Sequence, residues 1–253
     1  MTPFTANPSQ AVSAYGERRL ITEIRRWLGP ASPPAPFGIG DDCAVLPPTR
    51  RHQLVTTDPV IYGQHFDQHV APRAVGAKLL KRNLSDIAAM GGRPSAAVVS
   101  LALAPETNLA WLRSFYRGLA ACALKYQVKI VGGDITQGPT GFFGAFLTLH
   151  GEATGQRVVT RAGAQRGDRI YVTGKLGGSL LGHHYNFPPR LAEGAWLAKR
   201  PEVCAMMDVS DGLAQDLNAL TPADLTPALC ATAIPISPAA RQRASRTKKS
   251  GLL

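Results

Sequence analysis

The chain has 253 residues, 45% hydrophobic and 18% charged, a balance ordinary for a soluble globular protein and a length that accommodates two domains. No apolar run approaches the ~20 residues of a membrane span, and Met1 to Gln10 is polar and Pro-containing, unlike a secretory signal. Against 28 Lys and Arg stand only 17 Asp and Glu, a net charge of +11 that favours an anionic substrate.

In chain order, Gly16 to Leu28 predicts an amphipathic helix, with Leu20, Ile24, Trp27 and Leu28 at helical spacing. Gly29 to Pro36 is a Pro-rich linker. Short apolar runs at Cys43–Leu46 and Gln53–Thr57 end in turns, and Ala71 to Met90 has the composition of a helix closed by Gly91-Gly92 and Pro94. Ala96 to Leu103 predicts a strand, Asn108 to Tyr126 a helix with one apolar stripe, Val128 to Val131 a short buried strand, and Phe142 to Ala153 a long strand. Beyond a boundary near Gly151 to Gly155, Arg169 to Thr173 reads as a strand and Asp211 to Leu220 as a helix. The pattern is α+β, without the βαβ rhythm of a doubly wound sheet. It divides into an N-terminal helix and linker (1–36), an N-terminal domain (37–152) and a C-terminal domain (153–253).

The scarce acidic residues gather in five units beside turns or strand ends. These are Gly40-Asp41-Asp42, Thr56-Thr57-Asp58, Asn83-Leu84-Ser85-Asp86, Gly132-Gly133-Asp134 and Asp208-Val209-Ser210-Asp211-Gly212. Carboxylates brought together repel unless a cation neutralises them, and hard, oxygen-ligated Mg²⁺ bridging to phosphate is the usual solution. The units therefore predict a magnesium–nucleotide site. Asp86, on a helix that otherwise faces the core, needs a metal or a nearby Lys. Arg161 either reaches phosphate oxygens with its planar fork or forms a surface salt bridge. His65 on its own is more often a surface or supporting residue than a ligand. Gly174 to Gly182 lacks the order of a phosphate-binding P-loop.

Cys43, Cys122, Cys204 and Cys230 form no C-x-x-C pair, which argues against zinc and against a disulfide framework and fits a reducing, cytoplasmic setting. Arg241, Arg243, Arg246, Lys248 and Lys249 make a basic tail without an aromatic residue, so nucleic acid is not expected as a partner, and with no apolar run of spanning length neither is a membrane.

Six segments occur in one order: Gly38–Leu46 (GIGDDCAVL), Thr56–Phe66 (TTDPVIYGQHF), Asn83–Gly91 (NLSDIAAMG), Gly132–Pro139 (GGDITQGP), Thr160–Gly182 (TRAGAQRGDRIYVTGKLGGSLLG) and Met207–Leu217 (MDVSDGLAQDL). Together they closely resemble the thiamine-monophosphate kinase family, within the superfamily of aminoimidazole ribonucleotide synthetase. The resemblance implies a two-domain, PurM-like α+β fold that dimerises through N-terminal-domain strands and passes the γ-phosphoryl of ATP to thiamine phosphate. It implies several Mg²⁺ ions at Asp42, Thr56, Thr57, Asp58, Asp86, Asp134, Asp208 and Asp211. It also implies nucleotide contacts at Gly133, Asp134, Arg161 and Ser210, and a thiamine-phosphate contact at His65.

No single side chain is implied as an essential base, because phosphoryl transfer depends on alignment and charge neutralisation. Pro59, Tyr62, Ile135 and Gln137 depart from the family pattern, and the stretch from Gly182 to Pro189 is short. The family's Gly-Gly-Glu-Asp-Tyr-Glu-Leu segment does not follow Arg241, so the resemblance implies a C-terminally truncated second domain. A nucleotide-binding remnant without turnover and another ATP-dependent member of the superfamily are the alternatives.

Overall fold

The computed structural model describes residues 1–40 and 43–247. Its centre is a four-stranded mixed sheet of β1 (Gln53–Ile61), β2 (Gly92–Leu103), β3 (Lys129–Gln137) and β4 (Phe143–Ala153), in the order β1-β4-β2-β3. β4 runs antiparallel to both neighbours, while β2 and β3 are parallel. Parallel neighbours need a crossover, and α3 (Leu109–Lys125) supplies it. The helix α2 (Pro72–Ala89) connects β1 to β2.

Local chemistry sets these helix ends. Pro72 lies in the first turn of α2, where its missing N–H costs nothing. After the C-cap Met90, Gly91 takes the left-handed conformation at φ 67° and its N–H closes on the Ala88 carbonyl. The Asn108 side chain caps α3 by accepting from the Trp111 N–H at 2.9 Å.

α2 and α3 cover one face of the sheet, and α1 (Glu17–Leu28) packs on α3. The core lies between the layers and includes Val60, Leu79, Leu84, Leu101, Phe115, Phe143 and Leu147. α2 and α3 approach backbone to backbone. A Cβ on Gly76 would stand 2.0 Å from the Phe115 carbonyl oxygen, and one on Gly118 2.0 Å from that of Arg73. The other sheet face is open and carries Val55 (59% exposed) and Phe146 (39%).

A bulge shifts the register between β2 and β3. Ala97 pairs with Ile130 but Val98 with Gly132, so Val131 is the extra residue. The shift turns Asp134, opposite Ser100, onto the open face.

Past Ala153 the described residues form only short helices and irregular chain: α4 (His183–Asn186), α5 (Leu191–Leu197), α6 (Leu213–Leu220) and α7 (Pro238–Thr247). The strand expected at 169–173 does not form. No neighbouring strand pairs with it, and Ile170, Tyr171 and Val172 are left exposed. α4 and α5 pack on α2. Among the described residues all four cysteines are free, and no helix is long and apolar enough to cross a membrane.

Candidate functional site

Strand alternation makes Leu54, Thr56, Asp58 and Val60 share the helix-facing side of β1. The second half of α2 runs beside that edge and presents Arg82, Ser85 and Asp86 to it. The Thr56 hydroxyl donates to Asp86 Oδ2 at 2.5 Å. Arg82 Nη2 donates to Asp58 Oδ1 at 2.8 Å, and its Nη1 donates to the Pro59 carbonyl at 2.8 Å. From the C-terminal half, Asp208 Oδ2 accepts from the Ser85 hydroxyl at 3.2 Å. Residues 123 positions apart thus meet at one end of α2.

The electrostatics follow from this packing. Burial pushes the carboxyls of Asp58, Asp86 and Asp208 above the usual carboxylate range. Mutual repulsion adds to it: Asp208 raises Asp58, Asp58 raises Asp86, and Asp86 raises Asp208. Arg82 opposes the rise at Asp58 and Asp86, and Arg161 opposes it at Asp86 and Asp208, which puts the Arg161 charge over the same cluster.

The donors are all hard oxygens carrying excess negative charge, which suits Mg²⁺. Among the described residues, however, no three His, Cys, Asp or Glu side chains are grouped closely enough to hold one ion.. Phosphate oxygens and water would have to complete any coordination sphere, as is usual for this cation.

The other expected residues stand apart from this cluster. Thr57 faces the open side of the sheet, where its hydroxyl donates to the Leu147 carbonyl at 3.1 Å and accepts from Thr148 at 3.3 Å. Asp211 and Ser210 occupy an exposed turn before α6. Asp134 and Gly133 lie on β3, at the sheet edge opposite β1 and three strand spacings, ~14 Å, away. Asp134 sits inside that strand rather than after it. A Cβ on Gly133 would stand 2.0 Å from the Val99 carbonyl oxygen, so strand packing alone requires glycine there. Asp42 lies outside the described residues.

His65 lies in the turn after β1, and its Nδ1 accepts from the Ile61 N–H at 3.1 Å. Its carbonyl receives Lys78 Nζ at 2.7 Å and the Tyr185 hydroxyl at 3.2 Å. Burial, Arg82 and Lys78 all lower the His65 pKa and favour the neutral ring. Lys78 is only 6% exposed, contacts His184 Nδ1 at 3.0 Å and lies 4.6 Å from the Tyr185 ring. Neither Lys78 nor Tyr185 is among the site residues that the sequence singles out. The helical period alone, which puts Lys78 and Arg82 one turn apart, could have signalled a shared face.

Asp216 was missed as well. It is buried, and its carboxylate accepts from the backbone N–H groups of Gly212 at 2.9 Å and Asp211 at 3.1 Å, holding the turn that carries Ser210 and Asp211. Asp216 lies in the first turn of α6, where an acidic side chain caps free N–H groups, whereas the helix expected from Asp211 placed it a turn further in.

The mixed sheet with two covering helices and an acidic edge defines a class. Residues 40–153 match the family described as AIR synthase related protein, N-terminal domain. Hydrogenase maturation protein HypE, at 21% identity and a TM-score of 0.71, shares the fold.

The chain is also 38% identical over 232 residues to thiamine-monophosphate kinase of Rhodopirellula baltica, covering 87% of this chain and 72% of that protein. It is 34% identical to the Escherichia coli (strain K12) enzyme, covering 81% and 68%. A solved structure of AaThiL complexed with AMPPCP and TMP superposes with a TM-score of 0.74 at 29% identity, covering 94% of this chain and 80% of that one. The chain belongs to the thiamine-monophosphate kinase family.

Proposed function

We propose that the protein phosphorylates thiamine phosphate to thiamine diphosphate by direct, in-line transfer of the γ-phosphoryl of ATP. The observation that carries this reading is the meeting of Thr56, Asp58, Ser85, Asp86 and Asp208 under the charge of Arg161, within a fold whose relatives are kinases of this substrate. The complex of AaThiL with AMPPCP and TMP supports ATP and thiamine phosphate as the ligands.

Thr56, Asp58, Asp86 and Asp208, joined by Asp42, Thr57, Asp134 and Asp211, would hold the magnesium ions. Bound Mg²⁺ neutralises phosphate oxygens and so reduces the repulsion between two polyanionic substrates. The chain's own residues supply alignment. Arg161 offers a fork to phosphate oxygens, Ser210 and the Asp216-braced turn offer a hydroxyl and backbone polar groups, and His65 orients thiamine phosphate. No general base is assigned.

The separation of Asp134 and Gly133 from Asp58 has a consequence. A single chain holds them at opposite edges of one sheet, and a second copy would bring one set to the other. The edge strands β1 and β3 and the exposed apolar side chains Val55 and Phe146 on the open face support a homodimer built on the 37–152 domain. Partition into that domain and a 153–253 domain, and a cytoplasmic location, belong to the same reading.

The test is chromatographic detection of thiamine diphosphate formed from thiamine phosphate and ATP with magnesium, with Asp134→Ala as control. Product from the wild-type chain alone is expected. A folded chain that binds ATP and forms no product overturns the turnover claim.

A further inference from the structure

This inference rests on the proposed magnesium–nucleotide site. Asp58 already has a cation. Arg82 sends both arms of its fork to β1, one to Asp58 Oδ1 and the other to the Pro59 carbonyl, each at 2.8 Å. The pair is not a mobile surface contact: the side chains are 28% and 24% exposed, and each end is fixed on a regular element packed against the other. The charge of Arg82 also relieves the repulsion that Asp208 and Asp86 bring to this edge.

A divalent ion at Asp58 would meet the guanidinium on the same carboxylate. Two cations a few ångströms apart repel each other at the effective dielectric of a protein surface. We propose that Arg82 is a resident counter-cation that competes with the divalent ion for Asp58 and thereby sets the metal affinity of the site. Metal entry requires the guanidinium to withdraw from Asp58 Oδ1, and its second anchor at the Pro59 carbonyl keeps it nearby. The carboxylate then keeps a counter-charge without metal, and the ion binds strongly only when a nucleotide contributes its own negative charge. Arg82 thus makes metal loading dependent on nucleotide.

The experiment titrates the full chain with Mn²⁺ in the absence of nucleotide and follows the free-ion signal by electron paramagnetic resonance. Arg82→Met is expected to bind at least one Mn²⁺ on the order of tenfold more tightly than wild type. Arg82→Lys, which keeps the charge, is expected to stay within about threefold of wild type by the same charge argument. Asp58→Asn added to Arg82→Met should abolish the gain.

Equal Mn²⁺ affinity in wild type and Arg82→Met, with weaker binding in Asp58→Asn, overturns the competition and leaves the metal reading standing. No Mn²⁺ binding by any variant, with or without ATP, overturns both. A lysine variant that binds as tightly as the methionine variant also overturns competition by charge.

Discussion

Replacing Lys78 by Met tests how the His65 turn is held. The ammonium is buried, and burial together with the Arg82 charge pulls its pKa from the ordinary 10.5 down to about 8. Between those values the unfolded chain binds a proton that the folded chain does not, so stability rises with pH across that window. Below pH 8 the full penalty of keeping the charge inside is present. The shift corresponds to ~3 kcal/mol, at about 1.4 kcal/mol per unit.

At pH 7, Met removes that penalty but also removes charged hydrogen bonds to the His65 carbonyl and His184, together worth roughly 2–3 kcal/mol. The two stabilities should therefore agree within about 1 kcal/mol at pH 7. They should diverge by roughly 2–3 kcal/mol by pH 10, as wild type gains and the variant does not. Urea unfolding followed by circular dichroism at pH 7, 8, 9 and 10 measures the difference. Parallel curves would refute the argument, because they would mean that Lys78 keeps an ordinary pKa. Loss of the Lys78 tether should also raise the KM for thiamine phosphate several-fold at nearly constant kcat, since the His65 carbonyl keeps only Tyr185.

Asp86→Asn should abolish turnover yet raise the melting temperature at pH 7 without added divalent ions. The native carboxyl titrates above its unfolded value, so its penalty grows as pH rises from acid and is complete at neutrality. The gain is expected to vanish toward acid pH, and a lower melting temperature at pH 7 would contradict it. Gly118→Ala forces a methyl against the Arg73 carbonyl and should destabilise by about 3 kcal/mol or more in chemical denaturation. An unchanged midpoint would mean that α2 and α3 are not in backbone contact. His65→Ala should mainly weaken thiamine phosphate, with the KM for ATP unmoved, and an unchanged KM for thiamine phosphate would remove His65 from the site.

Much of the N-terminal half was legible in the residues themselves. The apolar stripe Leu20, Ile24, Trp27 and Leu28 marks α1 within a residue, and Asn108 and Gly91 announce the ends of α3 and α2 because capping is a local event. The strand misread at 169–173 shows the limit of the same logic. An apolar β-branched run states a preference, but a strand exists only where another backbone accepts its hydrogen bonds, and Ile170 to Val172 find none. The acidic units were likewise visible as a set, as were their residue types.

Most local elements of the N-terminal half, the acidic inventory and, through the ordered motifs, the family can be read from the residues alone. Tertiary structure decided which of those carboxylates meet. Thr56 and Asp86 are 30 residues apart, and Ser85 and Asp208 are 123 apart. Such encounters depend on strand order and helix placement, which no local spacing encodes. The one-residue bulge at Val131 turns Asp134 to the face away from Asp58, and the packing of α2 on β1 makes Arg82 the ion partner of Asp58. Both features follow from long-range packing: register in a sheet is set by the partner strand, and a charge finds its counter-charge only after the chain has folded.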